Sequence, residues 1–302
     1  MKTLFLVPLF VAGSCGWNAA GTTGCQPAGP VRALPGILQE SSGVAWSRSQ
    51  PGVLFSHNDG GHAASIYALD VQGSLLGEIP LTGVRNRDWE DIATGECEAG
   101  ACIYLADVGD NDEVRERLVL YRVTDSGVYD GSPQGAEAFT MVLPDGPRDM
   151  ESVFVLKGEE VFFVSKGRSH AVTLYRYPPP LRAGETVTLE AVQTFTQGRL
   201  PIPGQVTGAD ASDDGSVVAI RTYESLSFFT AEKGRLVPIE GGRVALRTLN
   251  ETQGEAVGLG PNGEVVLTSE AALGRGATIR VLKCGVVGVE EQESGRLDRG
   301  FG

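Results

Sequence analysis

The sequence predicts an all-β chain, a five-bladed β-propeller closed by its N-terminal strand, and three observations carry that expectation. One pattern recurs five times: Glu40-Ser41-Ser42-Gly43-Val44-Ala45, Asp88-Trp89-Glu90-Asp91-Ile92-Ala93, Asp149-Met150-Glu151-Ser152-Val153-Phe154, Val206-Thr207-Gly208-Ala209-Asp210-Ala211 and Gln253-Gly254-Glu255-Ala256-Val257-Gly258. Each places an oxygen-bearing residue two positions before a small apolar or β-branched one, at spacings of 48, 61, 56 and 48 residues. A repeat of that length built from short strands is the mark of propeller blades. The second observation is composition: 41 glycines, 16 prolines and 41% hydrophobic residues suit many short strands joined by turns. No long helical periodicity competes with that. Third, Asp214-Gly215 and Asn262-Gly263 are two-residue hairpin signals, each placed between the first and second strands of its repeat.

Taken in order, the chain opens with Met1-Lys2 and the apolar run Leu4 to Ala12. That is a secretory signal over residues 1–14, too short to span a bilayer. Ala12-Gly13-Ser14-Cys15 resembles a bacterial lipobox, with Ala where Leu is usual, and would make Cys15 the lipidated N-terminus; ordinary cleavage after Ser14 or later is the competing reading. Residues 15–30 read as a small, polar tether. Val31 to Leu34 is a strand that precedes any complete blade. Four groups of four strands follow, and a fifth supplies only three, Ala256 to Leu259, Glu264 to Thr268 and Thr278 to Leu282. The spare N-terminal strand completes that blade, so no sheet edge stays open. The propeller spans 31–284, and 285–302 is a flexible tail. A sixth blade would have to hide in the longer second or third repeat.

A formal charge of −13 argues against nucleic acid and against anionic lipid, so any membrane contact runs through the N-terminal lipid. The same charge also simply keeps an exported protein soluble. The cysteines fit export: Cys97 and Cys102 flank a hairpin turn, Cys25 and Cys284 meet where the ring closes, and Cys15 is left over. With three histidines and no paired cysteine spacing, zinc is not indicated.

In a propeller the innermost strand of each blade faces the central channel. Ser42, Glu90, Glu151, Thr207 and Glu255 would then converge at one rim. Three carboxylates brought together repel, and Ca²⁺, which takes six to eight oxygens in irregular geometry, relieves that repulsion better than Mg²⁺. The five motifs Ser42-Gly43-Val44, Glu90-Asp91-Ile92, Glu151-Ser152-Val153, Thr207-Gly208-Ala209 and Glu255-Ala256-Val257 resemble those of the bacterial SdiA-regulated family of five-bladed propellers, with Thr207 in place of a serine. The resemblance implies export to the periplasm or outer membrane and calcium in the channel. A more distant likeness, to calcium-activated nucleotidases, covers the metal pattern alone.

The ends of the second strands and the loops entering the inner strands bring His57, Asn58, Arg87, Asp107, Arg148, Lys166 and Arg221 to the same mouth. Such a mouth suits a small polar or anionic ligand or a protein partner. Asp107 and its neighbours also read as a plain turn, and Arg87-Asp88 and Arg148-Asp149 as salt bridges between blades. No catalytic constellation stands out. The expectation is a calcium-binding module, with a calcium-dependent phosphoesterase as the alternative, Arg87, Arg148 or Lys166 holding the phosphate.

Overall fold

The computed structural model describes residues 24–195, 202 and 204–285. It is all-β, with five sheets, antiparallel apart from two short added edge strands, arranged as five blades. Blade 1 runs Ser41–Trp46, Val53–Asn58, Ser65–Asp70 and Leu75–Thr82. Blade 2 is Trp89–Cys97, Gly100–Asp107, Leu118–Thr124 and Glu137–Val142. Blade 3 comprises Met150–Leu156, Glu160–Ser165, Thr173–Arg176 and Glu190–Thr194; blade 4, Val206–Ala211, Val217–Thr222, Ser225–Glu232 and Arg235–Ala245. Blade 5 has Gln253–Leu259, Glu264–Glu270 and Thr278–Gly285, and the N-terminal segment supplies its outer edge.

Closure uses more chain than expected. Arg32–Ala33 pairs with Ile279 and Thr278, and a further strand, Gly24–Pro27, pairs with the same partner farther along, Cys25 opposite Cys284. The stretch expected as tether therefore contributes a strand from Gly24 onward. Both disulfides form, Cys25–Cys284 across the closure and Cys97–Cys102 within the first hairpin of blade 2. The first links residues 259 apart in sequence, and loop-closure entropy alone assigns it a stabilisation on the order of 5 kcal/mol.

The long second and third repeats hold no sixth blade. Their extra residues form short strands that reach back and add to the preceding blade. Gln134–Gly135 pairs in parallel with the outer strand of blade 1 at Leu81 and Thr82. Thr186–Thr188 does the same to the outer strand of blade 2 at Thr140 to Val142. Capping an outer edge this way removes unpaired backbone groups that would otherwise template association.

The core is divided into wedges between neighbouring blades, as alternating strand faces require. One cluster joins blades 2 and 3 through Tyr104, Leu120, Phe163 and Tyr175. Another closes the ring, packing Val44, Trp46 and Leu54 of blade 1 against Ala256, Val266 and Ile279 of blade 5. At Asn262-Gly263 both residues adopt positive φ, 57° and 78°, the two-residue turn expected. At Asp214-Gly215 only the glycine does, and its N–H returns to the Ser212 carbonyl at 2.8 Å, a longer turn than the sequence indicated. The signal segment, Cys15 and residues 286–302 lie outside the described residues. Among the described residues no helix is long and apolar enough to cross a membrane.

Candidate metal centre

Every one of the five recurring oxygens sits on an irregularity of its inner strand. The register against the second strand shifts between Ser41 and Gly43, Trp89 and Asp91, Met150 and Ser152, Val206 and Gly208, and Gly254 and Val257. The skipped residues include Ser42, Glu90, Glu151, Thr207 and Glu255. A bulge leaves one residue unpaired and re-aims its side chain. The repeat is thus a repeated bulge, and the sequence motif is its signature. All five residues are buried.

Carboxylates gather around two of them. Oxygens of Asp59, Asp88 and Glu90 lie within 4.8 Å of one another, as do those of Glu90, Asp149 and Glu151, so Glu90 belongs to both trios. Burial pushes Glu90 well above the ordinary carboxylate range, with the Glu151 and Asp59 charges adding to it. Burial does the same to Glu151, where Lys166 opposes the shift and Asp149 and Glu255 reinforce it. Asp88 is raised to about 6, by burial and by Asp59. Glu255 rises to about 7 and Glu270 to about 8, burial again the main cause.

Lys166 is the cation within this group. Its Nζ bonds Glu151 Oε1 and lies 3.7 Å from Asp149 Oδ2. Burial would lower its pKa, but Glu151, Asp149 and Glu90 hold it above the usual lysine value. One ammonium cannot neutralise five carboxylates. Asp149 Oδ2, in a residue only 1% exposed, accepts no hydrogen bond, and Arg168 is its other ionic neighbour at 3.4 Å. An all-oxygen, acid-rich donor set of this kind fits a hard divalent ion.

The remaining expected ligands stand apart from the two trios. Thr207 donates its hydroxyl to the Glu255 carbonyl at 2.8 Å and so ties blade 4 to blade 5. Glu255 Oε1 accepts from Gln253, whose amide also serves Glu270. Ser42 is buried at the rim of blade 1. Asp59, Asp88 and Asp149 were not expected as ligands. The signal was present for two of them, because blades 2 and 3 both spell Asp-x-Glu, Asp88-Trp89-Glu90 and Asp149-Met150-Glu151.

Several residues expected at the mouth serve the fold. His57 is fully buried against Trp89, its Nδ1 beside the Asn58 carbonyl at 3.0 Å, and burial lowers its pKa to about 4. Asn58 bridges the Glu40 N–H and the Ile37 carbonyl. Asp107 is paired with Arg115 at 2.8 Å. Arg221, fully buried, donates to the Ala256 and Thr268 carbonyls and pairs with Glu251, pinning the bulge of blade 5. A Cβ on Gly254 would stand 1.9 Å from that guanidinium, which is why glycine is there. Arg148 turns to Asp145 at 2.8 Å within its own loop, so Arg148-Asp149 is not a bridge between blades. Arg87 is exposed beside Asp88.

Comparison with known proteins adds the fold. No protein-family model matches the chain, and no curated protein matches it. A PQQ-bound aldose sugar dehydrogenase from Streptomyces coelicolor is similar in structure, with a TM-score of 0.50 at 12% identity over 88% of this chain and 99% of that one. The β-propeller domain of Cps50 (Swd1) from Myceliophteria thermophila aligns with a TM-score of 0.40 at 12% identity, over 80% and 83% of the two chains. The first likeness is one of fold, and with the five sheets it defines the class: a β-propeller.

Proposed function

We propose that the chain is an exported, lipid-anchored calcium-binding β-propeller of the SdiA-regulated type, acting as a binding module at its upper face. The observation that carries this is the pair of carboxylate trios sharing Glu90, in which Glu90 and Glu151 are buried at strand bulges, Asp149 is buried, Asp59 and Asp88 are half-buried, and Lys166 is the internal cation. Glu90, Glu151, Asp149, Asp88 and Asp59 would hold the ion, and Glu255, Thr207 and Ser42 would complete the rim around it. The ion supplies positive charge that cancels the mutual repulsion of these groups; the ring supplies their placement. A propeller presents such a face to ligands of many kinds, so the partner, a small polar or anionic molecule or a protein, follows from the mouth and not from the fold. Export and the lipid on Cys15 rest on the N-terminal sequence, with the periplasm or the outer membrane as the destination.

Isothermal titration of chelator-treated protein with Ca²⁺ tests the centre. One site is expected in the native chain, lost in Glu90→Gln with Glu151→Gln; heat uptake unchanged by that pair of substitutions would remove the proposal.

The alternative, a calcium-dependent phosphoesterase, needs cations free to hold a phosphate. Lys166 is engaged by Glu151 and Arg148 by Asp145, which leaves Arg87 of the three. That favours binding over hydrolysis. A phosphatase and nucleotidase panel with and without EGTA separates the two, since calcium-dependent turnover would reverse the preference.

A further inference from the structure

The opposite end of the channel, where the first hairpins of the blades gather, is built around a different side chain. Arg48 follows the inner strand of blade 1 and is fixed on several sides. Its backbone N–H donates to Asp125 Oδ2 at 3.1 Å, its Nε to Thr94 Oγ1 at 3.1 Å and its Nη2 to the Thr94 carbonyl at 3.3 Å. Thr94 is itself held by the Trp46 carbonyl at 2.7 Å. The remaining nitrogen, Nη1, pairs across the mouth with Asp213 of blade 4.

The two partners are unlike. The Arg48 side chain is 19% exposed, that of Asp213 83%. An ordered guanidinium therefore meets a counter-ion on an exposed turn, and pairs of that sort contribute little.

Cavities lie on both sides of this bridge, and Arg48 and Asp213 line each of them. One, of about 550 Å³, is polar and bordered by Glu96 and Lys157. The other, of about 280 Å³, is a mainly apolar slot between Trp46, Pro51, Leu259 and Pro261. The buried indole Nε1 of Trp46 has no hydrogen-bond partner and lies beside Gly260, another residue of the slot. Asp210 also borders the slot, but its two oxygens accept the Ala211 and Leu259 N–H groups at 2.8 and 2.7 Å. An apolar slot with one convergent, pre-oriented guanidinium is the usual form of a small-ligand site.

We propose that this lower mouth binds a small monocarboxylate with an apolar body. The ligand carboxylate takes the place of Asp213 on Arg48, and the body lies in the slot against Trp46. The proposal is independent of calcium at the upper face.

Benzoate and octanoate are the probes, with benzyl alcohol as the uncharged control, followed by tryptophan fluorescence and calorimetry up to millimolar concentrations. Binding of the carboxylates but not of the alcohol is expected. Arg48→Met should weaken it by about tenfold or more, the loss of a charged hydrogen bond. Asp213→Asn, on an exposed turn, should tighten it by about two- to fivefold. Glu90→Gln with Glu151→Gln should leave it unchanged. Where Arg48→Met fails to fold, the Asp213→Asn result decides. Equal binding of benzoate and benzyl alcohol, affinity indifferent to Asp213→Asn, or no binding of either carboxylate to native and Asp213→Asn protein would each overturn the assignment.

Discussion

Glu90 and Asp91 are neighbours in sequence, both buried, and both carboxyls are pushed well above their ordinary range by that burial. Their surroundings are otherwise opposite. Asp91 lies below the bulge in regular ladder, and its oxygens accept the N–H groups of Ile92, Val153 and Ala209, from three blades. Among the described residues no donor hydrogen-bonds the Glu90 carboxylate, and its neighbours are other acids and one lysine. Asp210, farther round the ring, repeats the Asp91 arrangement between blades 4 and 5. The same cost of burial is therefore met in two ways. Below the bulge the backbone supplies the compensation, so the residue is part of the fold; above it the backbone supplies none, and the proposed ion would.

The largest expected effect breaks or keeps that contrast directly. Asp91→Ala strands three buried N–H donors, each worth about 1–3 kcal/mol when unsatisfied, so a loss of about 4 kcal/mol is expected in urea unfolding. Glu90→Gln without calcium should change stability by no more than about 1 kcal/mol, since it removes a charge that nothing in the fold requires. Similar losses for both would abolish the distinction. Next in size is Lys166→Met. Without metal it should cost about 3 kcal/mol, because Glu151 loses its buried partner. With calcium the same variant should be recovered, and its calcium affinity should exceed that of the native chain, as an internal competitor has gone.

Much of this was legible in advance, for a physical reason. A closed ring forces one element to repeat, and residues that share a position in it share a fate, so Glu90, Glu151 and Glu255 announced themselves by spacing. The closing strand and both disulfides follow from the same geometry. What the spacing did not carry was contact between blades. Whether Arg148 meets Asp149 or Asp145 depends on a loop rotamer, and whether His57 faces the mouth or the wedge beside Trp89 depends on one residue of register. Asp59 joins the acids from the end of a second strand, where blades 2, 3 and 4 carry Val108, Lys166 and Tyr223 and blade 5 carries Glu270, so the spacing shows no repeated acid around the ring. The extra strands Gln134–Gly135 and Thr186–Thr188 are too short to stand out from their loops, and they exist only because a neighbouring edge is there to pair with.

The dependence on pH is smaller and has a definite sign. Glu255 and Glu270 have folded pKa values near 7 and 8, above the ordinary 4.5, and Asp88 about 6 against 3.8. Raised acids bind protons more tightly in the folded state, so their contribution is fully present below about pH 4 and lost as pH climbs through 6 to 8. Metal-free protein should therefore lose stability across that interval, and saturating calcium should flatten the loss, since an ion that binds only the folded form adds stability with its own concentration. Thermal melts at pH 5 and 8, with and without calcium, read this as a change in Tm. A calcium effect equal at both pH values would separate the ion from these acids.

The smallest expected change in stability is also the most selective probe of the upper site. Gly109 passes so close to the acids that a Cβ there would lie 2.0 Å from Glu90 Oε1 and 2.6 Å from the Asp88 carboxylate. Its φ is not in the left-handed region, so alanine is acceptable to the backbone itself. The atoms nearest the added methyl belong to the carboxylate ends of two side chains, which can turn away at a cost of about 1 kcal/mol. Turning away, however, pulls Glu90 and Asp88 out of the trios they form with Asp59, Asp149 and Glu151. Gly109→Ala should therefore unfold in urea almost as the native chain does while binding calcium at least about tenfold more weakly, the loss expected when one charged ligand is displaced. A variant that kept full calcium affinity would place the ion elsewhere than at Glu90, and the lower-mouth carboxylate titration, far from the substitution, would report whether the ring itself had been disturbed.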